Sequence, residues 1–131
     1  MPVTPDEYCQ DKAVRSGSSF YYSFLFLPPE RRRAITALYA FCREVDDIVD
    51  ECTDTGVART KLAWWRQELA RLYAGAPQHP VTRALAPALQ PYGIKHEYLA
   101  EKVRCAQAWA GYIDANAAEN VVQMESRKRK A

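Results

Sequence analysis

Three observations predict an all-α fold for this 131-residue chain. Apolar residues recur at steps of three and four in several separate stretches, which is the spacing of one helix face. Pro5 and Pro29 stand where helices start, each ahead of such a stretch. No segment shows the apolar–polar alternation of a half-buried strand.

The elements follow in order. Thr4-Pro5-Asp6-Glu7 is a capping box, with Thr4 as the cap and Glu7 reaching back, and the helix it starts should fade at Ser16-Gly17-Ser18-Ser19. "FYYSFLFL" at 20–27 is read as a short helix ended by Pro28-Pro29. From Pro29 to about Cys52 one face is drawn by Ile35, Leu38, Cys42, Val45, Val49 and Cys52. Asp54 caps the next helix, whose row is Ala58, Leu62, Trp65, Leu69 and Leu72, closed by Gly75. Pro77 and Pro80 bracket a loop, and a shorter helix carries Val81, Leu85 and Leu89, with Pro87 limiting its regularity. A last helix spans residues 94–112 on Leu99, Val103, Ala106 and Ala110. Residues 113–131 lack a sustained apolar face and end in a charge run, so a loosely attached, poorly ordered tail is expected after a unit at 1–112.

The totals fit one globular domain: 48% of residues are hydrophobic and 26% charged. The net charge of +2 comes from the tail, because "ESRKRKA" at 125–131 holds four basic residues and one acid and leaves −1 for the rest. No broad basic surface for nucleic acid is expected. Cys9, Cys42, Cys52 and Cys105 contain no C-x-x-C pair, so free thiols in a cytosolic protein are expected rather than a zinc knuckle or disulfides. "MPVTPDEYCQDKAVR" has no apolar signal region, and "FYYSFLFL" is too short to span a bilayer. The expectation is a soluble chain that at most rests on a membrane surface.

"YAFCREVDDIVDE" at 39–51 packs five carboxylates into eight positions. With Tyr39 at zero and about 100° per residue, Arg43 falls at about +40°, Asp46 at about −20° and Asp50 at about +20°. These four form one stripe beside the apolar row, whereas Glu44, Asp47 and Glu51 are placed on the far, solvent side. Two carboxylates one turn apart repel by a few tenths of a kcal/mol, and desolvation at a core edge adds to that. A divalent cation reverses both effects; Mg²⁺ takes one or two carboxylates together with substrate phosphates, and an arginine fork suits phosphate oxygens. The same spacing suits an ordinary surface ion pair of Arg43 with Asp46 on a wet helix face, and on spacing alone that ordinary reading is favoured over metal binding.

The surrounding words add to this. "SGSSFYYSFLFLPPERRRAITALYAFCREVDDIVDE" at 16–51 combines a Ser-Phe segment, a Leu-Pro helix start and Tyr-x-x-Cys-Arg-x-x-Asp-Asp-x-x-Asp. It closely resembles the squalene/phytoene synthase family of head-to-head prenyl transferases. "PDEYCQDKAVRSGSSFYYSF" and "KLAWWRQELARLYAGAPQHPVTRAL" look most like its bacterial hopanoid-pathway branch. The resemblance runs from about residue 4 to residue 101. It implies the N-terminal part of an isoprenoid-synthase-type helical bundle of about five helices. It also implies Mg²⁺ as cofactor and the condensation of two farnesyl diphosphates to presqualene diphosphate. Phytoene-type condensation of geranylgeranyl diphosphate is the alternative. Asp46 and Asp50 match the motif that holds the metal, with Asp47 a less certain third; Tyr39 and Arg43 match catalytic, diphosphate-contacting residues, and Ser19 a phosphate-contacting serine. The implied place is the cytoplasm, peripheral to the inner membrane. Phe20, Tyr21, Tyr22, Phe24 and Phe26 suit either the wall of a cation-shielding cavity or plain aromatic core, and core is the expectation for most of them.

The pattern also breaks. The family carries a second aspartate-rich motif on a later helix, and this sequence holds no counterpart. After Glu101 the expected text gives way to "KVRCAQAWAGYIDANAAENVVQMESRKRKA", read as a truncated or out-of-frame end. Uncovered apolar helix faces are then expected, and with them a rival function: a non-catalytic helical remnant that binds a partner helix. His79 and His96 are expected at the surface, and Trp65 rather than Trp64 in the core. Arg31-Arg32-Arg33 and "RKRK" at 127–130 are read as solvated charge.

Overall fold

The structure is a computed structural model that describes residues 3–17, 19–52 and 54–130, without the side chains of 114, 117–123, 125, 129 and 130. Ser18 of the expected hinge and the end of the tail at 131 lie outside the described residues. Helices account for the regular structure, and no strand occurs among the described residues.

α1 (Pro5–Arg15) starts in the expected capping box: Thr4 Oγ1 accepts from the Glu7 N–H and Glu7 Oε2 accepts from the Thr4 N–H, both at 3.2 Å. Gly17, at φ 70°, turns the chain toward α2 (Phe20–Phe24), a five-residue helix. α3 (Pro29–Glu51) opens on a proline, whose missing N–H costs nothing in a first turn. Asp54 caps α4 (Thr55–Tyr73), its Oδ1 accepting from Gly56 N–H at 2.8 Å. α4 closes with Gly75 at φ 87° and with bonds Gly75 N–H to Leu72 O and Ala76 N–H to Arg71 O, the pattern that absorbs orphan carbonyls at a helix end. α5 (Pro80–Leu89) tolerates Pro87 in its last turn, and α6 (His96–Lys130) follows.

α3 lies at the centre. α1 and α5 pack against it and each other, and α4 and α6 do the same from elsewhere around it. Phe41 and Trp65 meet edge to face at 5.7 Å between α3 and α4. α6 buries Leu99, Val103, Ala106 and Ala110, and α4 buries Ala58, Leu62, Trp65, Leu69 and Leu72, both as expected.

The buried face of α3 differs from the expected row. Thr36, Ala37, Ala40, Phe41, Val45 and Ile48 are buried, while Ile35, Leu38, Cys42, Val49 and Cys52 are only half-buried. The reason is the small residues. Ala37 and Ala40 let α1 and α5 approach with their own small buried residues, Cys9 and Ala13, Ala84 and Ala88. A row drawn through large apolar side chains misses such a face.

α6 runs without a break through the boundary expected at residue 112. Beyond Gly111 the described side chains of Tyr112, Ile113, Ala115, Met124 and 126–128 are exposed. No described helix is long and apolar enough to cross a membrane. All four cysteines are free, and burial pushes the Cys9 thiol up to about 12.

Candidate active site

The row of Tyr39, Arg43, Asp46 and Asp50 on α3 meets different neighbours along its length. Tyr39 sits at its start, half-buried, with its ring edge-on to Phe24 at 5.9 Å. Its hydroxyl lies 2.9 Å from Ser16 Oγ, and Ser16 already donates to Ala13 O at 2.7 Å, so Tyr39 is the donor of the pair. Ser19, expected at this site, is exposed at the N-cap of α2 and makes no side-chain capping bond. Among the described residues, Ser16 is the hinge serine that reaches the stripe, one residue before the glycine; the polar hinge at 16–19 signalled it without saying which serine turns inward.

Arg43 leans toward α1. Its Nη2 donates to Asp47 Oδ1 at 2.9 Å, and its Nε is buried without a partner. Asp47 also takes Lys12 Nζ at 2.5 Å, and Glu44 accepts from the Tyr8 hydroxyl at 2.6 Å. Burial, then the bond to the Glu44 carboxylate, push the Tyr8 hydroxyl above the usual phenol range. Glu44 and Asp47 therefore do not face solvent as expected; each side chain is only 16% exposed. A wheel with one apolar side assigned them outward, but α1 brings Lys12 and Tyr8 against that side. Of the three acids expected outside, only Glu51 is exposed.

Asp46 leans the other way, toward α6, where its Oδ1 accepts from Lys102 Nζ at 2.7 Å. Asp50, one turn on, is exposed. Both carboxylates line a cleft between α3 and α6 that also includes Val49, Lys102, Cys105, Ala106 and Trp109. Among the described residues no three His, Cys, Asp or Glu side chains gather as a metal cage. Two hard carboxylates on an open cleft nevertheless fit a Mg²⁺ whose remaining ligands are phosphate oxygens and water.

The aromatic segment departs from the core expectation. Tyr21 is buried, its hydroxyl accepting from Gln10 Nε2, but Phe20, Tyr22 and Phe26 are 69%, 65% and 90% exposed. The five-residue helix turns Tyr21 inward and half-buries Phe24 against Tyr39, leaving Phe20 and Tyr22 outside.

A second polar cluster was not anticipated. Glu68 interrupts the apolar row of α4 yet is fully buried. Its oxygens accept from Gln78 N–H at 2.8 Å, His79 N–H at 2.7 Å, the Thr82 hydroxyl and Arg71 Nε at 2.8 Å. Burial pushes its carboxyl up, but the Thr82, His79, Arg71 and Gln78 bonds together hold it below the ordinary value. His79, expected at the surface, is half-buried. Its Nδ1 accepts from Val81 N–H at 3.0 Å, its ring lies 4.7 Å from that of Trp65, and burial lowers its pKa. His96 is exposed and stacks on Tyr73.

Residues 13–109 match the family model for squalene/phytoene synthase. A presqualene diphosphate synthase of Rhodopseudomonas palustris is 38% identical over 95 residues, which is 72% of this chain and 33% of that protein. A 15-cis-phytoene synthase of Synechocystis is 33% identical over 88 residues, 67% of this chain and 26% of that protein. A presqualene diphosphate synthase of Zymomonas mobilis is 46% identical over 61 residues, 46% of this chain and 21% of that protein. The chain thus spans about a third or less of the length of the curated relatives it matches. No solved structure matches it significantly.

Proposed function

The chain belongs to the squalene/phytoene synthase family, and on that premise we propose that its α3 stripe serves the condensation of two farnesyl diphosphates to presqualene diphosphate. The observation that carries this reading is the open cleft between α3 and α6 that Asp46 and Asp50 line together, one turn apart on the helix that also carries Tyr39 and Arg43. A site for a polyanion must leave charge and hydrogen-bonding capacity unspent. Here Asp50 is exposed and Arg43 Nε is buried without a partner.

Asp46 and Asp50 would hold Mg²⁺, which supplies charge neutralisation at the departing diphosphate. Arg43, on the same helix, would contact the diphosphate with the part of its guanidinium that Asp47 does not hold. As the allylic C–O bond breaks, the electron pair goes to the diphosphate oxygen, where the Arg43 guanidinium would stabilise the developing charge. Tyr39, held by Ser16 and Phe24, presents an oriented ring to the allylic cation left behind. Asp47 acts as the positioning residue of Arg43 instead of a metal ligand, because Lys12 and Arg43 already neutralise it. Ser19 remains a phosphate contact by resemblance alone. Substrates with long apolar tails favour a peripheral place on the cytoplasmic side of the inner membrane.

Two rival readings have support. The phytoene synthases among the relatives favour geranylgeranyl diphosphate as substrate. The exposed rings of Phe20, Tyr22 and Phe26 favour a helical module that binds a partner helix. One experiment separates the three: diphosphate release by the purified chain with Mg²⁺ and each prenyl diphosphate. Release from farnesyl diphosphate supports the first reading, preference for geranylgeranyl diphosphate the second, and no release from either the third.

A further inference from the structure

Asp46 is already engaged by a cation belonging to the chain itself. Lys102 Nζ lies 2.7 Å from Asp46 Oδ1. The two residues are 56 positions apart and on different helices, so helical spacing does not explain the contact. It bridges the cleft between α3 and α6 that Asp46 and Asp50 share. Lys102 and Asp46 keep 35% and 40% of their side-chain surface exposed, so the pair is wet and can separate. Asp50, four residues on, has its carboxylate exposed at the same cleft.

We propose that Lys102 is a tethered counter-ion that competes with a divalent cation for Asp46. This rests on the reading of Asp46 and Asp50 as metal ligands. The physical case has three parts. Two carboxylates at i and i+4 repel, and any cation between α3 and α6 relieves that repulsion. A lysine ammonium is a compact charge on a flexible stem, able to hold a carboxylate and to swing away from it. Mg²⁺ sheds water reluctantly and needs the carboxylate oxygen itself, so it takes Asp46 only after Lys102 lets go. The contact thereby couples metal occupancy to the docking of α6 on α3: the metal-free chain is latched, and loading the site frees Lys102.

The test is a Mn²⁺ titration of the purified chain, with free ion followed by its paramagnetic resonance signal. Lys102→Met keeps the apolar stem and removes the charge; Lys102→Gln is the second variant should the first not fold. Lys102→Met should bind Mn²⁺ about fivefold tighter than the unaltered chain, the scale of an ion pair of this exposure. Asp46→Asn should weaken binding, and Lys102→Met should give no gain in its presence. In the unaltered chain, Mg²⁺ addition should shift the side-chain NMR signals of Lys102. If Asp46→Asn weakens binding while Lys102→Met and Lys102→Gln leave it unchanged or weaker, the competition is refuted and the metal reading stands. If folded chains of every variant take up no Mn²⁺, both fall.

Discussion

The junction of α4 with α5 and the stripe on α3 each place acidic residues against the core, and they treat that charge in opposite ways. Glu68 is fully buried and takes donors from Arg71, Gln78, His79 and Thr82. Asp46 has one partner on a flexible stem, and Asp50 is exposed. At the junction, a loop that crosses the core edge would strand the N–H groups of Gln78 and His79; Glu68 satisfies both, and the ring of His79 then fills the space beside Trp65. That polar network is spent on folding. On the stripe the helix backbone needs no help, and the exposed Asp50 and the half-exposed Asp46–Lys102 pair contribute little to folding.

The contrast breaks most visibly at Glu68. Glu68→Ala should cost about 3–5 kcal/mol, since it leaves several buried donors without an acceptor. Urea unfolding of the variant checks this; a loss within error of zero would remove the junction from the account.

Acid should act on the same region. The folded state lowers the pKa of His79 below its ordinary 6.5 and that of Glu68 below its ordinary 4.5. Both shifts have one sign: the stability each contributes is fully present above the ordinary value and is lost as pH falls through the lowered one. Unfolding midpoints should therefore fall below about pH 6.5 and again below about 4.5. His79→Asn, which can still cap α5, should flatten only the upper step.

Much of this architecture was legible from spacing. The capping box at Thr4, the Asp54 cap, Gly75 and the rows of α4 and α6 all stand where apolar periodicity and cap chemistry put them. The face of α3 was not legible, because alanines that admit a neighbouring helix carry no apolar signature. The roles of Glu44 and Asp47 were lost for the same reason: a wheel knows one helix, and their partners Tyr8 and Lys12 are more than thirty residues away. Glu68 and His79 were invisible because their burial depends on a loop path, not on any period. On α3, spacing put Tyr39, Arg43, Asp46 and Asp50 in one row, but that Arg43 turns to Asp47 beside α1 and Asp46 to Lys102 on α6 needed the packing of the neighbouring helices, as did the contact of Ser16 with Tyr39.

Smaller effects sharpen the comparison within α3 itself. Asp47→Asn should cost about 1 kcal/mol, because its half-buried carboxylate pairs with both Lys12 and Arg43. Chemical denaturation should resolve that loss from Asp50→Asn, for which a change within about 0.5 kcal/mol is expected at an exposed position. Equal losses at the two would erase the distinction between a structural and an open acid.

The most direct measurement is the thermal shift of the purified chain with Mg²⁺ and inorganic pyrophosphate, against the same chain without them. Linkage gives about 2.7 kcal/mol of stabilisation at a hundredfold excess over the dissociation constant, and less for a site with only two carboxylates. The unaltered chain should show an upward shift, and Asp50→Asn should start from the same melting temperature and show none. A shift that survives Asp50→Asn, or no shift in either chain, would contradict the assignment of the open stripe to ligand binding.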